Sequence, residues 1–184
     1  MFNDKMKVEE KSNLVHIHEQ GVFNCPSKVG GIVFEFCDFE NPIHLKALVD
    51  LLNMYMTDPM GDALPLNKSQ QLQLVDGLAN HSTSFVLFEI YDDIIVGFAT
   101  CFINFSTFKV KPYLYIHDFF VHPDYRGKGL ATSLMRELIS ISTERKYCKI
   151  TLEVRDDNFI AQGLYKRLGF EECKPNMFFW TKTL

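Results

Sequence analysis

The chain has 184 residues, enough for one domain with a real core and few for two. Apolar residues make up 47% and charged residues 23%, and the formal net charge is -4, so this reads as an acidic globular chain. No Lys/Arg run exceeds two residues, which argues against a nucleic-acid partner, and no apolar run approaches the ~18 residues of a membrane span.

In chain order, residues 1–31 are polar, weakly periodic and broken by Gly21, Pro26, Gly30 and Gly31. They read as an N-terminal extension, irregular apart from a short strand at 14–18, with no apolar signal segment. A single domain is expected over 32–184. Residues 32–39 alternate as a first strand. Asn41-Pro42 has the cap-then-proline pattern of a helix start, and Leu45, Leu48, Leu52 and Tyr55 repeat at helical spacing up to the Asp58-Pro59-Met60-Gly61 turn. A second helix is predicted over 68–78. Strands at 84–91 and 94–105 flank an Asp92-Asp93 turn and make a hairpin.

A further strand is predicted at 113–121, then a Gly-rich turn and a helix over 130–143. A strand at 149–154 and a helix over 158–168 follow, the latter capped by Asn158 and stopped by Gly169. Two last strands are expected at 170–173 and 177–183. Antiparallel strands followed by βαβ crossovers imply a mixed α/β sheet.

The chemistry-bearing stretch is Val121-His122-Pro123-Asp124-Tyr125-Arg126-Gly127-Lys128-Gly129-Leu130-Ala131. A strand that turns into a helix through glycines aims backbone N–H groups and the positive helix end at one point, which suits a diphosphate. A tight turn that merely needs glycine is the alternative. The spacing fits neither the P-loop, whose Gly-Lys is followed by Ser or Thr, nor the dinucleotide fingerprint, whose third glycine would stand at Thr132.

These residues resemble the Arg/Gln-x-x-Gly-x-Gly/Ala signature of the GNAT acetyltransferases, with Arg126 first, Gly129 fourth and Ala131 sixth. A second block resembles the same family: Leu152-Glu153-Val154-Arg155, then Asn158, Ala161, Leu164, Tyr165, Gly169 and Phe170. The likeness in detail covers residues 113–173. It implies a GNAT fold: a twisted, mostly antiparallel sheet of six to seven strands, with about four helices and a V-shaped parallel splay between the strands at 113–121 and 149–154. It implies acetyl-CoA as co-substrate and an enzyme that acetylates a primary amine; the five cysteines, odd in number and without a CxxC pair, read as free thiols of a cytoplasmic protein, no metal is expected, and a homodimer stays open.

The resemblance also implies residue roles. Backbone at Phe119, Phe120 and Val121 would bond the pantetheine arm. Arg126, Gly127, Lys128, Gly129, Leu130, Ala131 and Thr132 would hold the diphosphate. Asn158 would contact the arm as well as cap its helix, and Tyr165 would protonate the departing thiolate. Three candidates stand for the base: Glu153, His117 and Asp118. The stretch from Asp118 is similar to polyamine acetyltransferases, which carry Glu where this chain has His117. Strand alternation puts His117 and Asp118 on opposite faces unless a bulge intervenes.

Tyr55, Asp58 and Asp62 lie where such folds build the acceptor pocket, and two aspartates suit a small cationic amine. A protein N-terminal or lysine amine is the other acceptor class. A domain that senses acyl-CoA without turnover is the competing reading. His16-x-His18 has no third metal-ligand pattern beside it.

Overall fold

The computed structural model describes residues 27–29 and 31–184, so the strand expected at 14–18 lies outside the described residues. The chain divides into two compact units, Met1–Leu152 and Glu153–Leu184.

The first unit holds a six-stranded sheet in sequential order. Its strands are β1 (Ser27–Val29), β2 (Ile32–Phe36), β3 (Ser84–Tyr91), β4 (Ile94–Ser106), β5 (Lys111–Val121) and β6 (Ile150–Leu152). All neighbours pair antiparallel except β5 and β6, which are parallel. The mixed α/β sheet and its one parallel pair match the expectation. The helices of this unit are α1 (Pro42–Thr57), α2 (Lys68–Ala79) and α3 (Leu130–Glu144).

Local chemistry sets the element ends. Asn41 Oδ1 accepts from the Ile43 N–H at 2.9 Å and Pro42 opens α1. Asn67 and Gln70 form a reciprocal capping box at α2. Asp92 and Asp93 turn the β3–β4 hairpin with φ of 52° and 62°, the double left-handed pair that a two-residue hairpin demands.

Neighbouring residues of β5 face opposite layers. Phe120 joins Leu48, Leu51, Leu52, Leu78, Val86, Phe88 and Phe98 in the core under α1 and α2. Val121 joins Val96 and Leu130 under α3.

The second unit contains α4 (Phe159–Arg167). Asn158 Oδ1 caps it by accepting from Ala161 N–H at 3.1 Å, and Gly169 leaves it at φ 87°. Residues 170–173 and 177–183 form no strand, against expectation. Met177, Phe178, Phe179 and Trp180 are exposed. A short apolar run makes a strand only where a neighbouring ladder takes its backbone groups, and the local sequence does not supply that neighbour. Conversely, three-residue β1 is too short to show a period, so the extension read over 1–31 concealed it.

Candidate active site

Three features of the first unit converge at the end of β5. The first is a bulge. The β4–β5 register steps from Cys101↔Ile116 to Thr100↔Asp118, so His117 is the inserted residue. Tyr115 stands opposite Phe102, and Asp118 opposite Thr100, two positions apart on β4 and therefore on one face. The bulge thus brings His117 and Asp118 to the same side, the condition that alternation alone forbids. Their side chains meet, His117 Nδ1 to Asp118 Oδ1, at 3.1 Å. The His117 ring lies edge-on to Phe102 and Tyr115, each at 5.9 Å. Its side chain is 56% exposed, while that of Asp118 is 15% exposed.

The second feature is the splay. The β5–β6 ladder ends at Ile116↔Leu152, whereas β5 runs on to Val121 paired with β4. Phe119, Phe120 and Val121 therefore form a strand edge beyond the reach of β6.

The third is the loop after β5. A 3-10 turn at Pro123–Tyr125 leads through Arg126 to Gly127 (φ 80°) and Gly129 (φ 84°). Both glycines adopt the left-handed region, and a Cβ on either would meet nothing within 4 Å, so open space lies ahead of them. Gly129 is the N-cap of α3 and no side chain caps that helix. Its carbonyl accepts from Thr132 N–H and Ser133 N–H, each at 3.0 Å. An uncapped helix start with room in front is the donor set that a diphosphate requires, and the residues present fit that group. Leu130 is buried and roots the helix. Lys128 Nζ lies 4.9 Å from the Tyr125 ring centre and 5.3 Å from that of Tyr91.

Arg126 departs from a simple phosphate ligand. Its guanidinium donates from Nε to the Val121 carbonyl and from Nη2 to Asp58 Oδ2, both at 3.0 Å, and lies 5.2 Å over the Phe120 ring. Asp58, expected to receive an amine, is thereby engaged. Tyr55 packs on Phe120 with ring centres 5.6 Å apart. Burial, then Asp118, then Asp58 push its phenol up, so both carboxylates bear on one hydroxyl. Asp62 is exposed, at φ 49°, on the same turn as Asp58.

In the second unit, Glu153 is exposed and Tyr165 is buried, its ring 5.8 Å from that of Phe170. Asn158 serves as the α4 cap already described.

Two thiols are poor nucleophiles. Burial, aided by Asp38, pushes Cys37 up to about 12, and burial holds Cys101 well above the ordinary thiol range. Among the described residues no group of three or more His, Cys, Asp or Glu is placed to hold a metal ion. No helix there is long and apolar enough to cross a membrane.

Sequence reasoning passed over Glu89. It is fully buried in β3, and neither carboxylate oxygen makes a well-formed hydrogen bond among the described residues, the Ser133 side chain giving only a weak polar contact. Burial pushes its carboxyl up to about 8, against a smaller lowering by Ser133 in the first turn of α3. A lone carboxylate inside the apolar run Phe85-Val86-Leu87-Phe88-Glu89-Ile90 is the signal that marks it.

The model of the acetyltransferase (GNAT) family matches residues 45–170. An uncharacterized N-acetyltransferase from Methanocaldococcus jannaschii is 40% identical over 78 residues, 42% of this chain and 34% of that protein. The thialysine N-epsilon-acetyltransferase of Bos taurus is 30% identical over 78 residues, 42% of this chain and 45% of that one. The match thus spans less than half the length of either relative. Among solved structures, a probable acetyltransferase superposes with TM-score 0.70 at 21% identity, covering 83% of this chain and 97% of that one. A ribosomal-protein-alanine N-acetyltransferase from Brucella melitensis biovar Abortus gives TM-score 0.60 at 18% identity, covering 83% and 97%. At such identities the likeness is one of fold.

Proposed function

The chain belongs to the acetyltransferase (GNAT) family, and from that premise we propose that it moves the acetyl group of acetyl-CoA directly onto a small cationic primary amine. The observation that carries the reading is the pair of left-handed glycines, Gly127 and Gly129, with open space ahead of the uncapped α3 start.

Acetyl-CoA supplies an activated thioester, whose acyl carbon forms the new C–N bond as the C–S bond breaks. The backbone N–H groups of residues 127–131 bind the diphosphate, Thr132 N–H being held by the Gly129 carbonyl, and Lys128 adds positive potential beside them. The β5 edge at Phe119, Phe120 and Val121 bonds the pantetheine amides as an added strand. By motif, Asn158 contacts the same arm and Tyr165 donates a proton to the departing thiolate.

An alkylamine arrives protonated at neutral pH and must lose a proton before it attacks. His117 takes that proton, because imidazole is the side chain suited to accept one near neutrality. Asp118, 3.1 Å away, fixes the ring. The same carboxylate, with the Tyr55 hydroxyl and exposed Asp62, favours a cationic acceptor. The thialysine acetyltransferase relative supports a small amine, since that is the acceptor its name states.

The test is thiol release from acetyl-CoA over a panel of monoamines, diamines, polyamines, aminothioethers and peptides. Turnover with short cationic amines is expected. Turnover with peptides alone transfers the acceptor to protein amines. Tight CoA binding without any turnover makes the chain an acyl-CoA sensor.

A further inference from the structure

The ion pair between Arg126 and Asp58 joins residues 68 positions apart and connects two segments with different tasks. Arg126 immediately precedes the glycines of the coenzyme loop. Asp58 is the hub of the turn between α1 and α2. Its N–H donates to the Tyr55 carbonyl at 3.1 Å. Its Oδ1 accepts from Met60 N–H at 3.0 Å. Its carbonyl accepts from Gly61 N–H at 2.8 Å and Asp62 N–H at 3.1 Å. One residue further on, Ala63 N–H reaches the Met56 carbonyl at 2.8 Å. The turn has no slack at its centre: a Cβ on Gly61 would stand 2.0 Å from the Tyr55 carbonyl oxygen.

The carboxylate of Asp58 is therefore shared. One oxygen shapes its own turn and the other receives the guanidinium. Arg126 is likewise anchored at two points, through Nε on the Val121 carbonyl and Nη2 on Asp58, with Phe120 beneath. A planar guanidinium held at both ends transmits displacement better than a flexible ammonium. The side chain of Asp58 is 13% exposed and that of Arg126 48%, so the carboxylate is sheltered while the guanidinium meets solvent.

We infer that the Arg126–Asp58 pair is a strap that couples the coenzyme loop to the acceptor turn, so that loading the glycine loop orders residues 58–63. Arg126 and Asp58 are then positioning residues, and Asp58 is no amine ligand while the strap is closed. Coupling of this kind is reciprocal: an acceptor seated against the turn tightens coenzyme binding by the factor with which coenzyme tightens the acceptor. The inference rests on the coenzyme reading of the loop.

Amide hydrogen exchange with CoA as the probe tests it. In the wild-type chain, saturating CoA slows exchange at 127–133 and, several-fold, at 58–63. In Asp58→Asn, which keeps an oxygen for the Met60 N–H but loses the charge, CoA still slows 127–133 and the effect at 58–63 disappears. Arg126→Lys, which keeps the charge without the two-point fork, gives the same split and serves if the first variant does not fold. Slowing at 58–63 that survives in both variants overturns the strap, as does wild-type slowing confined to 127–133. Absence of slowing at 127–133 in the wild type defeats the coenzyme reading itself, and the strap with it.

Discussion

Glu89 and Gly97 face each other across β3 and β4, and the missing side chain of Gly97 is what gives the Glu89 carboxyl its place. A Cβ on Gly97 would lie 3.3 Å from Glu89 Oε2, 3.3 Å from Val121 Cγ2 and 3.2 Å from the Phe120 carbonyl oxygen. Gly97→Ala must push on backbone as well as side chain. We expect a loss of ~1–3 kcal/mol, read as a lower urea midpoint with unchanged slope.

The same carboxyl makes stability depend on pH. The folded chain holds Glu89 protonated up to about 8, against an ordinary 4.5, while the unfolded chain ionises at the ordinary value. Between those values the folded state binds the extra proton, so stability falls as pH rises and levels off above about 8. This one group contributes a slope of at most ~1.4 kcal/mol per pH unit. Glu89→Gln removes that slope. Urea midpoints of the two proteins from pH 5 to 9 check it: their difference grows in favour of the variant up to about pH 8 and then holds.

The glycine loop predicts a selective binding defect. Gly129→Ala places a Cβ residue at φ 84°, a strain of ~1–2 kcal/mol, and projects a methyl into the open space ahead of α3. CoA affinity falls at least tenfold by calorimetry. The α3 core residues Leu134, Met135 and Leu138 are untouched, and the far-ultraviolet spectrum keeps its shape.

Catalysis separates the candidate bases. With an acceptor found in the amine panel, His117→Ala lowers kcat by ~10²–10⁴ with CoA affinity unchanged. Asp118→Asn lowers kcat less and raises the acceptor KM, because it loses both ring fixation and a cation partner. Glu153→Gln leaves kcat within about twofold; a loss there as large as that of His117→Ala hands the base to Glu153. Tyr165→Phe keeps the ring on Phe170 and lowers kcat with KM unchanged.

Much of the fold is legible because its signals are local. The Asn41-Pro42 start, the Asp92-Asp93 turn, the Asn158 cap and the stop at Gly169 each act within four residues. The glycine loop is legible for the same reason, since left-handed backbone and an open helix start are written in consecutive residues. What depends on partners across the fold is not. Placing the bulge at His117 requires the register of β4, and the engagement of Asp58 requires Arg126, 68 positions away. The pairing of Glu89 with Gly97 belongs with these: a plain two-residue hairpin sets Glu89 opposite Val96, and only the register shift between Glu89 and Ile90 brings Gly97 there.

The central claim is that the first turn of α3 and its two glycines grip the diphosphate of a coenzyme. Backbone amide spectra recorded during a CoA titration test it most directly. Saturable shifts concentrated at residues 127–133, which need at least tenfold more CoA in Gly129→Ala, are the expected result. Spectra unchanged at millimolar CoA, or shifts that leave those amides untouched, contradict it.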